Sequence, residues 1–155
     1  MTGQINFEDV HSRRRYAPWG AYSQSKLANI LFAYELQRKF EAAQVDAISV
    51  AAHPGYAQTN LHLGSGQLGG SPLMEGVLQV GNLVWAQSAR MGALPQLYAA
   101  TAPDVCGGDY IGPGGFLEQR GHPVKVQSST ASRDQAAAAR LWALSEELTG
   151  VHYAL

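Results

Sequence analysis

The chain has 155 residues, 46% of them hydrophobic and 15% charged, which is enough apolar material for a core and argues against a disordered tail. A formal net charge of -1 provides no overall basic field, so nucleic acid or an acidic membrane is disfavoured as the main partner; Arg13, Arg14 and Arg15 form a local basic run. One cysteine, Cys106, excludes an internal disulfide, the five scattered histidines show no metal-ligand spacing, and no apolar run is long enough to span a bilayer, so the expected address is the cytoplasm.

The first twenty residues are polar and turn-rich, with Pro18 and Gly20 as breakers. A helix is predicted from Ala21 to about Ala42, because Leu27, Ile30, Leu31 and Tyr34 stand at i, i+3, i+4 and i+7 and form one apolar stripe. Val45 to Ala52 is short, almost uncharged and partly β-branched, and it stops at His53-Pro54-Gly55, the pattern of a buried strand ending in a tight turn. A long helix followed directly by a buried strand predicts an α/β layer with a parallel sheet. Leu61 to Gly81 is apolar but punctuated by glycine, which reads as a lid or short helices over a pocket, or as an irregular packed loop.

A further helix is expected over about Ala86 to Ala100, with Pro95 in an early turn or at a kink. Gly107 to Pro113 reads as a short strand between two turns. The last helix is expected over about 133–149, with Ser132 as N-cap, Gln135 completing a capping box and Gly150 as a left-handed stop. Leu141, Leu144 and Leu148 form its predicted stripe, with Trp142 beside it. No internal repeat or long linker divides the chain.

Tyr22 and Lys26 stand four residues apart at the start of the first helix, so both project from one side and can share one substrate. A phenol is too weak an acid for efficient proton exchange near neutrality, and a neighbouring ammonium favours its ionised form. Tyr22 is therefore a candidate general acid or base on a carbonyl or alcohol oxygen, with Lys26 as its tuner. Taken alone, Tyr-x-x-x-Lys also describes an ordinary pair on a helix surface. The Pro54-Gly55 turn stands where ligands of open α/β sheets bind, at the carboxyl end of a strand. His53, His62 and His122 read as turn or surface histidines.

The run Ala21-Tyr22-Ser23-Gln24-Ser25-Lys26-Leu27-Ala28-Asn29 resembles the active-site helix of the short-chain dehydrogenase/reductase family. His53-Pro54-Gly55-Tyr56-Ala57-Gln58-Thr59 is similar to the family's Pro-Gly-x-x-x-Thr segment, and the C-terminal part is similar to the retinol-dehydrogenase-like branch. The resemblance implies an oxidoreductase moving a hydride between NAD or NADP and a small apolar alcohol or carbonyl. It implies catalytic roles for Tyr22 and Lys26, and a cofactor surface formed by both of them with Pro54, Gly55, Tyr56 and Thr59. Lys26 would bond the nicotinamide ribose, the backbone around Tyr56 the carboxamide, and Thr59 the cofactor.

The same resemblance covers only the C-terminal portion of a Rossmann-like, doubly wound α/β fold. No glycine-rich phosphate turn precedes Tyr22, and Ser12, in a charged His-Ser-Arg-Arg-Arg loop, does not fit the family's catalytic serine. The expectation is a partial domain over residues 1–155, its N-terminal nucleotide-binding half absent and its own activity weak. A homo-oligomer or a missing N-terminal half is the expected partner, and a non-catalytic interaction or oligomerisation module derived from a reductase is the alternative.

Overall fold

A computed structural model describes residues 3–56 and 87–154. The chain divides into two compact units, one of Met1–Ala51, Cys106–Asp109 and Gln127–Leu155, the other of Ala52–Val105 and Tyr110–Val126.

The first unit is built on helix α1, Pro18–Ala42, which packs against the C-terminal helix and against a 3-10 turn over Thr130–Arg133. Pro18, expected to act as a breaker, instead opens the helix at its first turn. There the missing N–H costs nothing and the fixed φ already suits a helix. Leu27 and Leu31 are buried as the stripe predicts, and they join Ala138 and Leu141 in the core, with Ile5, Phe7, Ala28, Ala131 and Ala137 around them. Tyr34 turns its hydroxyl to Ser128 Oγ at 2.8 Å.

The segment after α1 departs from the expectation of a buried strand over 45–52. Only Ala51–Ala52, β1, has strand pairing, and Val45 and Ile48 are 40% and 54% exposed. Gln37, buried on α1, holds this segment: its Oε1 accepts from Ser49 N at 2.8 Å while its Nε2 donates to Glu41 Oε1 at 2.9 Å. The Gln37 amide also fills the space that a Cβ on Gly107 would need.

The last helix of the first unit, Gln135–Thr149, begins later than the predicted capping box. Asp134 is its N-cap, accepting from Ala137 N at 3.0 Å, while Ser132 is buried in the preceding 3-10 turn. Its stripe is also rotated from the predicted one. Ala138, Leu141 and Trp142 are buried, whereas Leu148 is 54% exposed. Trp142 decides the rotation, because it stacks on Phe32 with centroids 4.9 Å apart and donates its indole N–H to Glu146 at 2.9 Å. A ring of that size buries more apolar area than a leucine and has its one donor satisfied. Gly150 takes the left-handed stop expected of it, with φ 68°.

In the second unit the strand order is β1-β2-β3, with β2 at Tyr110–Pro113 and β3 at Pro123–Lys125. His53 N donates to Ile111 O at 2.9 Å, and in the first unit Ala51 N donates to Asp109 O at 3.1 Å. Donor and acceptor numbers rise together, which is parallel pairing. β2 and β3 run antiparallel, so the sheet is mixed and β3 was not foreseen; Ile111 faces Lys125 and Pro113 faces Pro123. Two prolines without N–H groups stand opposite each other where the ladder ends. Helix α2, Ala89–Thr101, packs on β2 and β3, and is capped by Ser88, whose Oγ accepts from Met91 N. Pro95 lies inside α2 and is fully buried. The proposed lid over Leu61 to Gly81 lies outside the described residues.

Candidate functional site

The predicted site residues fall in both units. In the first, Tyr22 and Lys26 stand on successive turns of α1, and the Lys26 ammonium lies 5.4 Å from the centre of the Tyr22 ring. Trp19 meets the same ring edge-on, at 6.3 Å and 84°. The phenol ring is thus braced by its neighbours at i-3 and i+4, which is what helix geometry brings to one face. Tyr22 is 42% exposed, and among the described residues its hydroxyl has no hydrogen bond and Lys26 no ion pair. A cavity of about 200 Å³ on another face of α1 is lined by Ile5, Tyr16, Ala21, Gln24, Ala28 and Leu141 among others, and by neither member of the pair.

The loop leading into α1 is fixed from inside. One carboxylate, Asp9, accepts three consecutive backbone N–H groups: Oδ1 takes Arg13 N at 2.7 Å, and Oδ2 takes Arg14 N at 2.9 Å and Arg15 N at 3.2 Å. Desolvation pulls the Asp9 carboxyl upward, but these donors and the Arg14 charge outweigh it and hold the group below the usual carboxylate range. Gln24 then staples the loop to the helix, accepting from Asn6 N at 2.9 Å and donating to Val10 O at 3.0 Å.

In the second unit, Pro54, Gly55 and Tyr56 form the turn after β1. Gly55 has φ 64°, and a Cβ there would lie 2.5 Å from Gln119 O and 2.7 Å from Pro113 Cγ. Only glycine suits both the dihedral and the space. Tyr56 N donates to Gln119 O at 2.7 Å, and Tyr56 O accepts from Gln87 N at 2.9 Å. Gln87 is buried and does more: its Nε2 donates to Pro54 O at 2.7 Å and its Oε1 accepts from Gly121 N at 3.1 Å. One amide side chain therefore ties the turn to the β2–β3 hairpin. Thr59 lies outside the described residues.

His53, read from sequence as a turn or surface histidine, is half-buried. Its Nδ1 accepts from Gly55 N at 3.3 Å, its Nε2 lies 3.3 Å from a Glu118 carboxylate oxygen, and its ring packs 5.1 Å from Tyr110. With Nδ1 accepting, the neutral ring carries its proton on Nε2, toward Glu118. Burial lowers the His53 pKa below the ordinary 6.5, and Glu118 offsets this only in part. Gly112 lacks the Cβ that would strike this imidazole. Neither Gln87 nor Glu118 carries a sequence signal, since each acts on a turn more than thirty residues away in the chain.

Polyprenol dehydrogenase of Mus musculus is 36% identical over 150 residues, covering 96% of this chain and 41% of its own length. Retinol dehydrogenase 14 of Mus musculus is 38% identical over 154 residues with the same two coverages. The chain is similar to members of the short-chain dehydrogenase/reductase family. It matches the C-terminal part of these relatives and spans about two fifths of their length. A crystal structure of an uncharacterised protein from Mycobacterium paratuberculosis, 40% identical, superposes with a TM-score of 0.74 over 99% of this chain and 47% of that one. The fold is accordingly the C-terminal portion of a Rossmann-like doubly wound α/β domain. No family model matches the chain.

The donor set can be tested against a nicotinamide cofactor. A tyrosine hydroxyl and a lysine ammonium, neither hydrogen-bonded nor ion-paired among the described residues, have the chemistry for a reacting oxygen and a ribose diol. At the turn, Tyr56 N–H is committed to Gln119 O and Tyr56 O accepts from Gln87 N. The helix pair thus offers donors of the kind such a cofactor takes, while these backbone bonds of Tyr56 are made within the protein.

Proposed function

We propose that this chain carries the proton-transfer face and the nicotinamide side of an oxidoreductase acting with NAD or NADP on a small apolar alcohol or carbonyl compound. The observation that carries this is the Lys26 ammonium standing 5.4 Å over the ring of an exposed Tyr22 on one helix face, in a chain whose relatives are named for dehydrogenation of retinol and polyprenol. Tyr22 exchanges a proton with the substrate oxygen. Lys26 bonds the ribose hydroxyls. Pro54, Gly55 and Tyr56 form the turn beside the nicotinamide, and Thr59 bonds the cofactor. When bound, the cofactor supplies or takes the hydride.

The address we propose is the cytoplasm, supported by the single cysteine and the near-neutral charge. A second reading, an interaction module that associates with a second copy, is supported by the exposure of Val45 and Ile48 in a segment whose composition is that of a buried strand.

The test of the enzymatic reading is reconstitution. Residues 1–155 alone are expected to show no useful NADH or NADPH oxidation with an apolar aldehyde. The chain extended by the N-terminal part of a relative should turn over, and there Lys26→Ala should lower both turnover and cofactor affinity. A Lys26→Ala enzyme matching its parent in both quantities would remove Lys26 from the mechanism. Micromolar NADH binding by residues 1–155 alone would show that they hold a phosphate site of their own.

A further inference from the structure

His53 stands in the second unit between two elements, the Pro54–Tyr56 turn and the 3-10 turn Phe116–Glu118 that follows β2. Its two ring nitrogens face different partners. Nδ1 accepts the Gly55 N–H at 3.3 Å, while Nε2 is buried and has a Glu118 carboxylate oxygen at 3.3 Å, too far off line for a hydrogen bond. The ring is confined on two sides. A Cβ on Gly112 would lie 2.0 Å from Nε2, so the imidazole rests on the bare backbone of β2, and the Tyr110 ring packs against it at 5.1 Å. The group that answers Nε2 comes from a strained place, since Leu117 and Glu118 are consecutive non-glycine residues in the left-handed region, with φ 51° and 56°. Such a pair persists only where surrounding contacts over-determine it.

The two protonation states of this ring make opposite demands. A neutral imidazole accepts at Nδ1 and donates at Nε2, whereas an imidazolium donates from both. Once charged, His53 turns an Nδ1–H toward the Gly55 N–H, donor against donor, and at the same time gains an ion pair with Glu118. Because β2 and Tyr110 confine the ring, the element that yields is the turn, where Gly55 at φ 64° has the dihedral freedom to move. Glu118 and Tyr110 are the titratable groups that face the ring; burial favours its neutral form and the Glu118 charge opposes this in part.

We propose that His53 is a positioning residue for the Pro54–Tyr56 turn and acts only as the neutral ring, so that protonation releases the Gly55 N–H and passes the imidazole to Glu118. The release of the turn stands on this geometry alone; that it loosens the hold on a nicotinamide deepens the oxidoreductase reading and rests on it.

NMR of residues 1–155 tests the release without cofactor or turnover. The Gly55 amide shifts should titrate with the same midpoint as the His53 ring protons, and protection of Gly55 from exchange should drop about 2- to 10-fold across it, the contribution of one neutral hydrogen bond. His53→Asn keeps an acceptor oxygen near the place of Nδ1 and takes up no proton, so it should hold Gly55 at neutral pH and lose the titration. His53→Phe keeps a ring without an acceptor, so Gly55 should exchange at the released rate at every pH. A Gly55 amide that ignores the His53 titration, or that titrates unchanged in His53→Asn, would overturn the proposal; should His53→Phe fail to fold, these two comparisons decide alone. In the extended chain, KM for NADH should rise by about the same 2- to 10-fold as pH falls through the midpoint, with kcat matching that of His53→Asn, whose KM stays flat. A merely structural role for His53 would shift melting and produce no such split, and a flat KM in the parent would overturn the link to the cofactor. Failure of the oxidoreductase reading looks different: Tyr22→Phe turnover would be unchanged in the extended chain while Gly55 still follows His53.

Discussion

The start of α1 and the turn after β1 carry the two motifs on which the proposed function rests, and they are held in different ways. Tyr22 is placed by residues three and four positions away on its own helix, Trp19 and Lys26. The Pro54–Tyr56 turn is placed by Gln87 and Gln119, more than thirty residues ahead in the chain. A helix fixes which side chains share a face by its rise and twist alone, so the Tyr22–Lys26 pair survives wherever the helix forms. A turn in an unusual backbone state needs tertiary partners to over-determine it, so it should depend on the integrity of its own unit.

The largest expected effect tests the helix side. In the extended, active chain, Tyr22→Phe keeps the ring between Trp19 and Lys26 and removes only the hydroxyl. Turnover should then drop by about 10²- to 10⁴-fold with the melting temperature unchanged. Retained turnover would remove Tyr22 from the chemistry, and a loss of folding would show that the pair is not as locally determined as the geometry states.

Gln87→Ala tests the turn side. It leaves Pro54 O and Gly121 N without the side-chain partner that satisfies them, and each part-buried hydrogen bond lost costs about 0.5–1.5 kcal/mol. Amide exchange at Gly121 and Tyr56 should speed up accordingly, while the amides of α1 around Leu31 keep their protection. Equal loosening of both sets would mean that the two units do not respond separately.

The smallest effect is a pH dependence confined to the turn. The His53 pKa is lowered in the folded chain by burial, so the unfolded chain takes up a proton first, near 6.5. Its contribution to stability is therefore complete above that value and is lost as pH falls from there through the lower folded value. Glu118→Gln removes the group that partly supports the charged ring, so the folded pKa should fall further and the window widen on its acid side. Proton NMR of the His53 ring reports this directly. A His53 titration at or above 6.5 would contradict the burial argument, and unchanged titration in Glu118→Gln would remove Glu118 from it.

What the sequence made legible follows the same division. The stripe Leu27, Leu31 and the pair Tyr22, Lys26 were readable because helical neighbours are three and four apart, and Gly150 was readable because a left-handed stop admits few other residues. Readings that needed knowledge of packing partners came out differently. Ser132 competes with Asp134 for the cap, and Asp134 takes it because Ser132 is drawn into the 3-10 turn by its own bond to Ser129 O at 2.6 Å. Leu148 gave way to Trp142 because Phe32 offers a ring to stack on.

The sequence by itself determined the family resemblance, the juxtaposition of Tyr22 and Lys26 and the position of the Pro-Gly turn, since each is written in residues within a few positions of one another. Only the tertiary structure decided which groups hold that turn, which side of the last helix is buried, and that Val45 and Ile48 lie exposed in spite of an apolar run. The physical reason is range. Local periodicity is a property of backbone geometry, whereas a hydrogen bond from Gln87 to Pro54, or a ring stacked on Trp142, depends on where the rest of the chain comes to lie.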